Sequence, residues 1–157
     1  MTTKADFTDT EWEALRRAPM VAGMAITLAD PGGPIEVMKE TSAVMRLVSE
    51  DLGDTGLVGE VARELAEAVQ QRRNPIADFK PRAAKEITEE LSRVNGIVTE
   101  KATPQEAADF RAWLLDAARR AAEAAKEGGF MGFKAVRVSE GEQRMLDELA
   151  TALGSPS

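Results

Sequence analysis

The sequence predicts an all-α protein, a single domain over residues 1–157 folded as an irregular or orthogonal bundle of six to seven helices. Three observations predict it. Apolar residues recur three and four apart along nearly the whole chain, the period of a helix buried on one face. Ala, Leu, Glu, Arg and Lys dominate, whereas β-branched runs are short and aromatics are only 4%, a poor supply for a sheet. Gly- and Pro-containing breaks then cut the pattern into pieces of helix length.

Thr8 and Glu11 have the spacing of a capping box and open the first helix, with Phe7 placed before it as a hydrophobic staple. Trp12 and Leu15 start its apolar face. Pro19 either opens a second helix at its first turn or kinks a continuous one. Met20, Val21, Met24, Ala25 and Leu28 make this segment apolar on most sides, so it is expected to be central and buried. Asp30-Pro31-Gly32-Gly33-Pro34 ends it.

The next helix begins near Pro34, and Met38, Thr41, Met45, Val48 and Leu52 are read as its apolar stripe. After the polar turn from Asp51 to Gly56, Val58, Val61, Leu65 and Val69 mark another helix, closed by Gln70 to Pro75. Residues 72–81 form the longest irregular connection. They are expected to be the most mobile part of the body, with flexible ends at 1–7 and 155–157.

Pro81 suits a helix entry. The stripe Ile87, Leu91, Val94 and Val98 stays in phase through Asn95-Gly96, so one helix is read to about Lys101. Thr103-Pro104-Gln105-Glu106 combines a cap, a Pro at the first helical position and an acid at the third. Phe110, Trp113, Leu114 and Ala117 follow, then Ala121, Ala124 and Ala125, whose small side chains admit a close neighbour. Gly128-Gly129 stops this helix. Ser139 with Glu142 opens the last one, which carries Met145, Leu146, Leu149 and Leu153.

Chemistry is bounded by what is missing. The 157 residues include no His, Cys or Tyr, which removes imidazole and thiolate catalysis, soft metal sites and disulfides. Net charge is −7, which argues against nonspecific binding to nucleic acid or anionic lipid. Arg16-Arg17, Arg72-Arg73 and Arg119-Arg120 are diluted by nearby acids and read as solvated faces. The longest uncharged run, Ala18 to Ala29, is too short to span a bilayer, and the first residues lack a signal-peptide layout. A soluble cytoplasmic protein is the expectation.

Three features are candidates for function. Gly128-Gly129-Phe130-Met131-Gly132-Phe133 places apolar side chains in a loop. Phe130 and Phe133 either fold back as a lid, or Phe130, Met131 and Phe133 contact a partner protein or a membrane surface. Carboxylates gather at the helix breaks: Asp30, Glu36 and Glu40 at the first, Glu127, Glu140 and Glu142 at the second. Oxygen ligands alone suit Ca²⁺, Mg²⁺ or Mn²⁺, although acids at helix starts also serve the dipole without any ion. The methionines, at helical spacing, are read as core filler rather than as a groove.

The two Gly-Gly breaks resemble each other. Each follows an alanine-rich helix ending in an acid and precedes an aliphatic residue and a helix with early acids: Asp30 to Glu36 at one, Glu127-Gly128-Gly129 and Val138 to Glu142 at the other. Leu146, Leu149, Ala150, Leu153 and Gly154 make a leucine-rich ending. The pattern resembles the tellurite-resistance TerB-like domains over the first 50 residues or so and the last 35. It departs from them in the residues between Asp30 and Ile35, at Lys39, at Glu127 and across 130–137. The resemblance implies an all-α fold and an acidic divalent-cation site with Asp30, Glu127 and Glu142 as carried-over ligands.

The reading that follows is a non-enzymatic helical binding protein, in a stress- or envelope-associated complex, acting through Phe130, Met131 and Phe133. Its alternative is a carboxylate-based cation-binding protein or a weak metal-dependent hydrolase. A homodimer completed by the long apolar stripes is open as well.

Overall fold

The computed structural model describes residues 3–29, 34–73, 81, 83–126 and 140–154, with backbone alone at 34–36 and 125–126. Among them are six α-helices and no strand: α1 (Asp9–Ala29), α2 (Pro34–Glu50), α3 (Leu57–Gln70), α4 (Ala84–Lys101), α5 (Pro104–Lys126) and α6 (Glu140–Ala152). The protein is therefore the all-α bundle expected. None of these helices is long and apolar enough to cross a membrane.

The start of α1 forms as its residue types require. The Thr8 amide donates to Glu11 Oε1 at 2.9 Å and the Glu11 amide donates to Thr8 Oγ1 at 3.1 Å, the reciprocal pair of a capping box. Phe7, just before the cap, packs on Trp12 in the second turn, ring centroids 5.6 Å apart. Of the segment 1–7, residues 4–6 form a 3-10 turn, and Lys4 bonds α3 through its amide to Glu60 and its ammonium to Glu64.

Pro19 does not divide α1. It removes one helical amide donor, a cost of about 3 kcal/mol or more in a helix interior. Yet Leu15, Ala18, Val21, Ala22, Ala25 and Ile26 are all fully buried on both sides of it. Burying one large aliphatic side chain contributes about 1.5–3 kcal/mol, so tertiary packing outweighs the local penalty.

α1 and α5 form the centre, each packing on all the other described helices. α2 and α3 pair on one flank, α4 and α6 on the other. The alanine row of α5 (Ala117, Ala118, Ala121, Ala122) is buried completely. At Gly23 of α1, an added Cβ would lie 2.9 Å from Val44 Cγ2 of α2 and 4.0 Å from Ala121 Cβ of α5. Three helices therefore converge where their side chains are smallest.

The stripe read in α4 is correct in phase. Ile87, Leu91, Val94 and Val98 are fully buried, and the helix runs unbroken through Gly96. The Thr103 hydroxyl caps α5 by accepting from the Glu106 amide at 3.1 Å. The stripe read in α2 needs correction. Its buried side chains are Glu40, Ala43, Val44, Leu47 and Val48, while Met38 is 68% exposed and Thr41 also faces solvent. The helix is rotated from the expected phase because Ala43, Val44, Leu47 and Val48 supply its apolar face, and Glu40 is carried inward with them.

One charged expectation changes too. Arg17, read as part of a solvated face, donates from Nε and Nη2 to Glu90 Oε2 of α4 at 3.1 and 2.9 Å, with both side chains largely buried. Lys101 Nζ meets Glu11 at 2.6 Å across the same two helices. These pairs set α1 and α4 antiparallel. Each tryptophan indole donates to a carboxylate far off in sequence, Trp12 to Glu64 at 3.1 Å and Trp113 to Asp51 at 2.9 Å.

Candidate functional site

α1 and α2 run antiparallel about the break that the Pro/Gly sequence imposes between them. They approach closely at Gly23 and Val44, and a cleft of about 250 Å³ lies beside this contact. α1 supplies Met20, Met24 and Leu28, four residues apart and thus on one ridge, with Thr27 beside them. α2 supplies Val37, Glu40, Thr41 and Val44. Pro81, just ahead of α4, completes the wall.

The lining is apolar with a polar edge. Glu40 is 4% exposed, and its Oε1 accepts the Thr27 hydroxyl proton at 2.5 Å. Burial of a carboxylate is tolerated only when hydrogen bonds replace its water. At the mouth, Val37 is 39% exposed, and Met20, Met24 and Leu28 are only partly covered, packed against the core from its margin. Met20 and Met24 thus pack against the core, as expected, and line the cleft as well. Unbranched thioether side chains adapt their shape to a guest, which makes methionine a common lining of binding surfaces.

The electrostatics elsewhere are structural. Burial raises the Asp51 pKa, against the Trp113 hydrogen bond, and Asp54 and Glu50 nearby push it the same way as burial. Burial also works to raise Glu64, but the hydrogen bonds from Trp12 and Lys4 outweigh it and leave its pKa lowered. Neither group lines the cleft.

The residues singled out from sequence fall as follows. Asp30, Glu127, Phe130, Met131 and Phe133 lie outside the described residues, as does Ser139. Glu142 is described: it sits fully buried in the first turn of α6. Glu140, two residues before it, is exposed. Among the described residues no three acidic side chains are grouped closely enough to hold a metal ion. Glu40, read as one of the carboxylates at the first break, is turned into the cleft with Thr27. The side chain of Glu36 lies outside the described set.

Sequence reasoning missed the cleft because it treated the methionines as core and Thr27 as unremarkable. A usable signal was there. Met20, Met24 and Leu28 repeat every four residues, and Glu40 interrupts the α2 stripe one turn before Val44. Comparison with known proteins gives no match to any family model, curated protein or solved structure.

Proposed function

We propose that this protein works by binding, and that the α1–α2 cleft is the seat of a small, mainly apolar ligand. The observation that carries this is an apolar cleft of about 250 Å³, walled by Met20, Met24 and Leu28, at the margin of the hydrophobic core. Protein interiors hold few voids larger than a water molecule. Ligand sites, by contrast, are concave, mainly apolar and edged by a few polar groups.

Size narrows the guest. An engineered apolar cavity of about 150 Å³ admits benzene, and drug-sized ligands take about 300 Å³ or more. The cleft falls between them. Binding is favoured over catalysis because the sequence has no His, Cys or Tyr to act as nucleophile, base or acid near neutral pH. The cation site and the partner loop expected from sequence depend on residues outside the described ones, and neither adds support to the cleft. The TerB-like resemblance stays a proposal about ancestry, compatible with an all-α bundle.

The test is a titration of the protein, labelled at its methionine methyls, with single-ring aromatic compounds. Met20 and Met24 resonances should move in a saturable way while Met145, buried on α6, stays fixed. Unmoved Met20 and Met24 signals at millimolar ligand would remove the proposal.

A further inference from the structure

We infer that Val44, seated against Gly23 at the inner end of the cleft, sets its size limit, so that the cleft takes one aromatic ring and turns away a fused pair. This inference rests on the reading of the cleft as a ligand seat and adds the residue that decides what fits.

The walls of the cleft differ in how far they can yield. Met20 and Met24 stand partly covered at the margin of the core, and their unbranched thioether chains reshape around a guest and favour contact with an aromatic ring. Val44 is placed otherwise. It is 1% exposed, against 39% for Val37 at the mouth, so it closes the inner end. A valine in a helix has one strongly preferred side-chain rotamer, and its two methyls do not swing aside for a larger guest.

The contact with α1 holds Val44 in that place. An added Cβ on Gly23 would lie 2.9 Å from Val44 Cγ2, so this methyl occupies the notch that the missing side chain leaves. The same point is 4.0 Å from Ala121 Cβ of α5, which is fully buried. Trimming Val44 to alanine therefore lengthens the cleft toward two small residues, Gly23 and Ala121. A methyl added at residue 23 fills the vacated space from the other helix. One methylene in a hydrophobic pocket changes discrimination by about 10- to 200-fold, and a fused ring demands more room than one methylene.

The experiment compares phenol with β-naphthol at neutral pH through the Met20 and Met24 methyl shifts. The two compounds share a hydroxyl and differ by one fused ring. Phenol should bind the unaltered protein at least about tenfold more tightly, and it should move the Val44 methyls as well. Val44→Ala should bind β-naphthol at least about tenfold more tightly than the unaltered protein does. Adding Gly23→Ala to Val44→Ala should restore the preference for phenol, a rescue that a mere loss of packing does not produce. If Val44→Ala does not fold, the phenol-to-naphthol ratio and the Val44 shifts on the unaltered protein decide the matter. Equal binding of the two compounds by the unaltered protein, or an unchanged ratio in folded Val44→Ala, would overturn the size limit and leave the ligand seat standing. Failure of both compounds to move Met20 and Met24 would overturn the seat, and the size limit with it.

Discussion

Two glycines in helix interiors should answer the same substitution with opposite signs. Gly96 sits on the exposed side of α4, and an added Cβ there meets nothing within 4 Å. Gly23 sits where α1, α2 and α5 converge, and its Cβ would lie 2.9 Å from Val44 Cγ2. In both, replacing Gly by Ala restricts the unfolded chain and contributes about 0.5–1 kcal/mol to the helix. At Gly96 nothing opposes this gain. At Gly23 the new methyl must displace a β-branched side chain with one strongly preferred rotamer, and overpacking of this kind costs about 1–3 kcal/mol. The propensity gain cancels between the variants, so their difference isolates the steric cost. For a chain of this size 1 kcal/mol moves the midpoint by about 2–4 °C. Thermal unfolding followed by far-ultraviolet circular dichroism should therefore place Gly96→Ala above the parent protein and Gly23→Ala at least about 2 °C below Gly96→Ala. In a Val44→Ala background Gly23→Ala should recover the helix gain, giving a coupling of about 1–3 kcal/mol. Equal stabilisation by both alanines would refute the close approach of α1 and α2, and with it the floor of the cleft.

The other predictions concern packing, charge and protonation. Gly59→Ala should destabilise by about 3 kcal/mol or more in urea unfolding, because its Cβ would fall 1.8 Å from the Asp54 carbonyl oxygen in the adjoining turn. Glu90→Ala should cost about 3 kcal/mol by breaking the Arg17 pair, whereas Arg17→Met with Glu90→Leu should cost less than that single change. The two indole N–H resonances should titrate apart: Trp113 with a midpoint above the ordinary 3.8 of Asp, Trp12 with one below the ordinary 4.5 of Glu. Linkage then gives opposite trends. The stabilisation tied to protonated Asp51 is present below its unfolded pKa and is lost as pH rises through the raised folded value. That tied to ionised Glu64 is present above its unfolded pKa and is lost as pH falls through the lowered one. Asp51→Asn should remove the first trend and leave the second, read from stability measured between pH 3 and 6 or so.

Local pattern carried the fold well where each helix obeys its own sequence. Ile87, Leu91, Val94 and Val98 form an apolar row without a polar intruder, and all four are buried. Thr8 and Thr103 find their partners three residues away, within the same turn. The misreadings arose where a distant partner decides. α2 turns Ala43, Val44, Leu47 and Val48 to the core, with Glu40 beside them meeting Thr27 of another helix, and so departs from the Met38–Thr41–Met45 stripe. Arg17 is buried because Glu90 meets it from 73 residues away. Pro19 stays helical because residues from several helices cover both sides of it. The cleft was the least legible feature: its walls are ordinary helix residues, and only the way two helices lie side by side makes them a site.

The central position of α1 has a consequence for how the chain is made. The first described α-helix packs on every other described α-helix, including α4, α5 and α6. Synthesis proceeds at about 5–20 residues per second, and roughly a hundred residues separate the end of α1 from the end of α5. For about 5–20 s the nascent chain has α2 and α3 to shelter α1 but not its larger partners. A chain ending after α3 would present the uncovered sides of Leu15, Ala18, Val21 and Ile26 to solvent or to a chaperone. Moving α1 to follow α6 in a circular permutant would let its partners wait for it, shortening the interval in which α1 is exposed.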